Sequence, residues 1–245
     1  RDTLVSFEGV VKSFGDFVAV KKLDFEIRKG EFLAIMGSSG CGKTTTLRTI
    51  MGLWPVSRGS VLFDDQPIGG SQGQLRTPDV AQLGIAYVPE NMGIFTDLTV
   101  LENLEVGRQA ARHWPDASAA PLWTPERLFR LFPNLGEMPH RPGGRMSGGE
   151  QQMLTVARTL MGNPYLVLLD EPSEGVAPVI VEQMAHMILE LKSQGVSILL
   201  SEQNMHFAEL VSDRAYVLEK GQIRYQATMA ELAANEEVRR AYLSV

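Results

Sequence analysis

The segment Gly37-Ser38-Ser39-Gly40-Cys41-Gly42-Lys43-Thr44 constrains this chain more than any other. It follows Phe32–Met36, a short continuous apolar run of the kind found in a strand buried on both faces, and a helical stretch begins near Lys43. Its spacing fits G-x-x-x-x-G-K-[ST] between a strand and a helix. A polyphosphate needs several backbone N–H donors converging on it, and a Cβ would obstruct that approach; Gly37, Gly40 and Gly42 leave it open. The helix start adds a partial positive charge. Lys43 supplies a point charge for the β- and γ-phosphates, and Thr44 a hydroxyl for Mg2+. Ser38, Ser39, Cys41 and Thr45 complete the candidate cradle. Cys41 reads as a small filler; the alternative is a thiol acidified by the helix terminus.

A second apolar run, Leu166–Leu169, ends in Asp170-Glu171. A strand ending at the carboxyl edge of the same sheet brings Asp170 beside the glycine loop, where it can hold Mg2+. Glu171 is the candidate general base for an attacking water. Alternation along the strand turns the two side chains in different directions. Other segments fill out a sheet. Residues 3–28 read as two strands joined near Gly15-Asp16, and Val61–Phe63, Ile85–Val88 and Val196–Leu200 as further strands. From Thr99 to Gly162 the pattern turns helical, interrupted by a Pro/Ala connection between His113 and Pro125. Trp114 and Trp123 flank that connection and read as packing residues. Pro178 opens a helix ended by Gly195, whose stripe Ile180, Met184, Met187, Ile188 and Leu191 reads as core. A short strand and a polar helical tail follow Gly221. The expected fold is α/β: a P-loop NTPase with a mostly parallel central sheet, an N-terminal antiparallel β portion and an inserted helical subdomain.

Charge and composition narrow the partners. The net charge is −6 with no dense Lys/Arg run, which argues against nucleic acid as a partner. No segment reaches the ~18 apolar residues of a membrane span. The start shows no secretory signal, and an initial Arg1 suggests a trimmed start. A single cysteine excludes an internal disulfide framework and fits a reducing compartment. His113, His140, His186 and His206 have no metal-site spacing, and His206 reads as a solvated helix residue.

A glycine loop with two acids also fits kinases and GTPases. The segment Met146-Ser147-Gly148-Gly149-Glu150-Gln151-Gln152, just upstream of the acid-tipped strand, narrows the choice. Ser147 can cap the helix that follows, and Gly148 and Gly149 leave its first N–H groups open to an anion. In this order, over essentially its whole length, the chain resembles the ATPase subunit of ABC transporters. The resemblance implies ATP as the nucleotide, held on one subunit's glycine loop and met by Ser147, Gly148, Gly149 and Glu150 of the other. It implies that two subunits pair head to tail and that Phe14 stacks on adenine. It also implies a single ABC ATPase domain over 1–245. Within it, 1–84 and 166–227 form the nucleotide-binding core, 85–165 the loop and helical subdomain, and 228–245 a helical tail.

Three positions depart from the general family pattern. Glu90 stands where a Gln near the Mg2+ site is usual, Gln203 where a switch His is usual, and Ser173-Glu174-Gly175 where the loop usually carries Asp. A Gln can donate to a γ-phosphate but cannot carry a proton, which leaves Glu171 as base. With Val88-Pro89-Glu90, Ser201-Glu202-Gln203-Asn204 and Glu171–Pro178, the chain is similar to ATPases of branched-chain amino-acid importers, with urea- and amide-uptake relatives close by. This branch implies a second ABC ATPase subunit, identical or related, transmembrane permease subunits, and an external substrate-binding protein reached indirectly. It places the chain in the cytoplasm, peripheral on the inner face of the membrane. Ile94 and Phe95 are the expected apolar contacts with a permease helix, or else local packing. The alternative is a soluble ABC-type ATPase not coupled to transport.

Overall fold

The computed structural model describes residues 2–91, 93–113 and 119–243; Trp114 lies outside them. The chain opens with an antiparallel pair, β1 (Thr3–Phe14) and β2 (Phe17–Arg28), turning at Gly15-Asp16 as the alternation predicts. β3 (Phe32–Met36) leads through the glycine loop into α1 (Lys43–Ile50). There follow β4 (Arg58–Phe63), β5 (Gln66–Gly70), α2 (Thr77–Gln82) and β6 (Ile85–Val88). The helical block holds α3 (Val100–Val106), α4 (Pro125–Leu131), α5 (Pro133–Gly136) and α6 (Gly148–Leu160). The chain then runs through β7 (Leu166–Asp170), α7 (Pro178–Ser193), β8 (Ser197–Glu202), α8 (Met205–Val211), β9 (Arg214–Glu219) and β10 (Gln222–Thr228). It closes with α9 (Met229–Ala234) and α10 (Glu236–Tyr242).

Two sheets result. The smaller has the order β2-β1-β4-β5 and is antiparallel. The larger has the order β10-β9-β3-β8-β7-β6, parallel from β9 to β6, with β10 antiparallel at its edge. This is the mixed α/β arrangement expected from the sequence. The short strand expected after Gly221 is β10, one arm of a hairpin whose other arm is β9. β6 likewise belongs to the large sheet, hydrogen-bonded to β7, so the purely helical layer starts at α3.

The central strands are buried on both faces, and their residues divide by period two. Phe32, Ala34 and Met36 join Val167, Leu169, Ile198 and Leu200 in a core roofed by α6 and α7. Leu33 and Ile35 join Leu166, Leu168 and Leu199 in a second core under α1 and the small sheet. The methionine stripe of α7 packs into the first core, with Met184, Met187, Ile188 and Leu191 buried. Trp123 is buried there too, its ring under the Arg127 guanidinium at 4.5 Å. Because β3, β7 and β8 run parallel and in register, their last residues, Met36, Asp170 and Ser201–Glu202, reach one edge together.

Candidate nucleotide site

The glycine loop lies at that edge. Gly40 has φ +76, a left-handed conformation that side chains other than glycine's rarely adopt. A Cβ on Gly37 would sit 2.5 Å from the Leu218 carbonyl oxygen and 2.6 Å from Cys41 Sγ, so the loop is packed shut from behind. Ser38, Ser39 and Gly40 face solvent. Cys41 is buried under them, and burial pushes its thiol up, against the pull of nearby Lys43. Its burial favours the filler reading over the acidified thiol.

Lys43 is 3% exposed. Its Nζ donates to the Gly37 and Ser38 carbonyls at 2.7 and 3.0 Å and pairs with Glu171 Oε1 at 3.1 Å. One residue on, Thr44 Oγ1 donates to Asp170 Oδ1 at 3.0 Å. Asp170 is 1% exposed and also accepts from Ser201 Oγ at 2.6 Å and Tyr87 OH at 2.8 Å. Tyr87 and Ser201 are site residues that the spacing argument misses. Their link to Asp170 comes from neighbouring parallel strands, and strand order is not written in local sequence. Burial first, then the Asp170 charge, pushes the Tyr87 hydroxyl up to about 12, so it stays a donor.

Glu171 leaves strand geometry with φ +45, rare for a non-glycine residue. The adjacent acids do face different ways, but this bend contributes to it as well as pleat alternation. The Glu171 N–H donates to the Ser201 carbonyl and hydroxyl, at 2.9 and 3.1 Å. Its carboxylate accepts from Gln203 Nε2 at 3.2 and 3.4 Å. Burial pushes the Glu171 carboxyl up. A hydrogen bond from Glu174 and the charge and hydrogen bond of Lys43 outweigh it and hold the carboxyl below its usual range. The partner in that bond moves the other way: hydrogen bonding to Glu171 and its charge push exposed Glu174 up to about 7. Carboxylate oxygens of Glu90, Glu171 and Glu174 lie within 4.8 Å of one another. Glu90 thus sits with the candidate base, whereas Thr44 and Asp170 form their own pair. Thr44 Oγ1 with the buried Asp170 carboxylate is a hard-oxygen donor set of the type that suits Mg2+.

The second glycine-rich segment also takes its expected local form. Ser147 Oγ accepts the Glu150 N–H at 3.3 Å, and Glu150 Oε2 accepts the Ser147 N–H at 2.7 Å, a reciprocal cap on α6. Ser147 and Gly148 are exposed. A Cβ on Gly149 would meet Ile180 Cγ1 at 2.7 Å, so glycine there lets the start of α6 lie against α7. Phe14, 41% exposed, ends β1 with its ring edge-on to Trp54 at 5.0 Å and Lys12 Nζ 4.7 Å from its centre. His206 is a surface residue on α8, 3.9 Å from Glu182.

A glycine cradle, a buried lysine, a Thr–Asp pair and a flanking glutamate at the carboxyl edge of a parallel sheet define a P-loop nucleoside triphosphatase. The family comparison narrows this further. The family model described as ABC transporter matches residues 20–174. The chain is 39% identical over 240 residues to the high-affinity branched-chain amino acid transport ATP-binding protein BraG of Pseudomonas aeruginosa, covering 98% of this chain and 99% of that one. It is 30% identical over 245 residues to the lipopolysaccharide export system ATP-binding protein LptB of Haemophilus influenzae, covering 98% and 97%. Among solved structures, the ADP conformation of MJ1267, an ATP-binding cassette of an ABC transporter, superposes with a TM-score of 0.79 at 26% identity, covering 98% of each chain. The chain belongs to the ABC transporter family as an ATP-binding subunit, and its activity is ATP hydrolysis coupled to transport.

Proposed function

We propose that this chain powers uptake of branched-chain or related amino acids, as one half of a two-ATPase sandwich beneath membrane permeases. The observation that carries the sandwich is a separation within one chain. Lys43, Thr44, Asp170, Glu171 and Gln203 are linked at the sheet edge, while the hydrogen bonds of the Ser147 cap stay within its own helix. The start of α6, exposed at Ser147 and Gly148, is then placed to meet a γ-phosphate held by a second subunit. In the sandwich, the Lys43 ammonium and the loop N–H groups bind the phosphates of ATP. Glu171 takes a proton from the attacking water, and the Gln203 amide orients Glu171 and senses the γ-phosphate. Thr44 and Asp170 would hold Mg2+, which neutralises charge developing on the phosphates.

The amino-acid substrate class rests on the 39% identity to BraG against 30% to the export-system LptB. Permease docking is supported by a cleft of about 850 Å³ lined by Leu53, Tyr87, Phe95, Val106 and Arg158. Leu53, Phe95 and Val106 there are 45%, 49% and 54% exposed, a concentration of apolar surface that marks interaction sites. Ile94, by contrast, packs partly buried on the core. Among the described residues no helix is long and apolar enough to cross a membrane.

The test is light scattering of Glu171→Gln with Mg-ATP, alongside its ATPase rate. An ATP-dependent dimer with turnover lowered about 100-fold or more supports the sandwich and the base. Normal turnover refutes the base.

A further inference from the structure

Glu202, the last residue of β8, is 2% exposed and carries no role in the function described above. Its carboxylate gathers three backbone donors. Oε1 accepts the Ser173 N–H at 3.0 Å, and Oε2 accepts the N–H groups of Gln203 and Asn204, each at 3.0 Å. A buried carboxylate is costly unless its hydrogen bonds are met, and these three are charge-assisted. The cost is incurred where two segments meet: the turn after β7, which carries Glu171, and the turn after β8, which carries Gln203. The hydrogen bonds form a closed ring. Gln203 Nε2 reaches the Glu171 carboxylate, the Gln203 N–H is held by Glu202, and Glu202 holds Ser173, two residues beyond Glu171.

We infer that Glu202 is a positioning residue for hydrolysis: its buried carboxylate ties the two turns together so that the Gln203 amide stays on Glu171. Gln203 is exposed, and among the described residues its side-chain amide hydrogen-bonds to Glu171 alone. The backbone clasp under it supplies the missing constraint. In Glu202→Gln one carboxylate oxygen becomes an NH2 group that faces backbone N–H donors, so one side of the clasp opens. The glycine loop and the Phe14 surface, which bind nucleotide, make no hydrogen bond to Glu202 and are left intact. The effect should therefore fall on kcat and not on nucleotide affinity.

This inference rests on Glu171 as the base, and a double-mutant cycle on the full chain tests it: wild type, Glu202→Gln, Gln203→Ala and the double variant. Glu202→Gln should lower kcat by about 10-fold or more while the Kd for a non-hydrolysable ATP analogue stays within about threefold. In the Gln203→Ala background the same change should cost less than about threefold, because the group it positions is gone. A purely structural role predicts the same loss in both backgrounds, and that result overturns the inference, as does an unchanged kcat in Glu202→Gln. If Glu202→Gln does not fold, Glu202→Asp keeps the charge but shortens the reach. It enters the same cycle with the same two readouts. Glu171→Gln run in parallel separates the two ideas: if it hydrolyses at the normal rate, the base assignment fails. If it is slow while Glu202→Gln is normal, only the Glu202 inference fails.

Discussion

The ion pair between Lys43 and Glu171 makes a prediction about binding as well as turnover. At 3.1 Å, with side chains 2% and 9% exposed, the pair holds Lys43 away from any incoming phosphate. The gross attraction at an effective dielectric of ~20 is about 5 kcal/mol, most of it offset by desolvation of the two charges. What matters is the difference on substitution. A hydrogen bond to a charged acceptor contributes about 1.5–3 kcal/mol and one to a neutral amide about 0.5–1.5, so Glu171→Gln releases about 1–1.5 kcal/mol of competition for Lys43. Nucleotide affinity should therefore rise roughly 5- to 13-fold. Removing a negative charge near the γ-phosphate acts in the same direction. The assay is titration calorimetry of wild type and Glu171→Gln with a non-hydrolysable ATP analogue, at protein concentrations where light scattering reports monomer. Acidity supplies a control. The Glu171 carboxyl is held below its usual range, so the pair's contribution is present above the unfolded value near 4.5 and is lost as pH falls through the lower folded value. The affinity gap should hold near neutral pH. Equal or weaker binding by Glu171→Gln would refute the competition argument, whatever happened to its turnover.

Two further outcomes follow from the same geometry. Phe14→Ala should weaken ATP binding by about 1–3 kcal/mol, the range for base–aromatic stacking, with little change in Tm because the ring is half-exposed; unchanged affinity would remove Phe14 from the adenine site. Glu174, pushed up to about 7, binds a proton in the folded chain that it would release unfolded, so its contribution to stability is full below 4.5 and is lost as pH rises through about 7. Glu174→Gln should flatten that part of the Tm–pH curve, and a carboxyl resonance titrating near 7 should vanish from the variant's NMR spectrum.

Much of the site was legible because its chemistry is local. Eight consecutive residues make the cradle, and an apolar run ending in two acids marks the neighbouring strand. The period-two split of β3, β7 and β8 between two cores explains why those strands read as continuous apolar runs. What stayed hidden depends on strand order. Tyr87 reaches Asp170 because β6 pairs with β7, and Ser201 reaches it because β8 lies on the other side. No spacing rule connects positions 87, 170 and 201. Glu202 did leave a signal, a charged residue directly continuing a buried strand, but its meaning needs the three N–H groups that meet it. The bend at Glu171 was invisible for another reason: nothing in Asp-Glu-Pro announces a left-handed φ, which the hydrogen bonds to Ser201 hold in place.

The charge balance at the sheet edge bears on the proposed sharing of the site between two subunits. The Asp170 and Glu171 carboxylates lie at the edge where Lys43 is buried, Glu90 and Glu174 crowd Glu171, and Glu202 is buried at the end of the neighbouring strand. ATP brings more negative charge to the same place. Lys43 alone cannot balance it, and even its charge is already engaged by Glu171. Favourable binding must then draw on N–H donors of the glycine loop, on a divalent cation at Thr44 and Asp170, and on positive potential from outside the acidic cluster. The start of α6, where Ser147 and Gly148 are exposed, offers such potential, and its cap hydrogen bonds stay within the helix. A second subunit can bring its own α6 start to the γ-phosphate, adding positive potential where this chain is most acidic. On this argument closure is driven by the charge that ATP delivers, and it weakens once the γ-phosphate leaves. Hydrolysis at Glu171 would then release the partner because it removes the group that both halves bind.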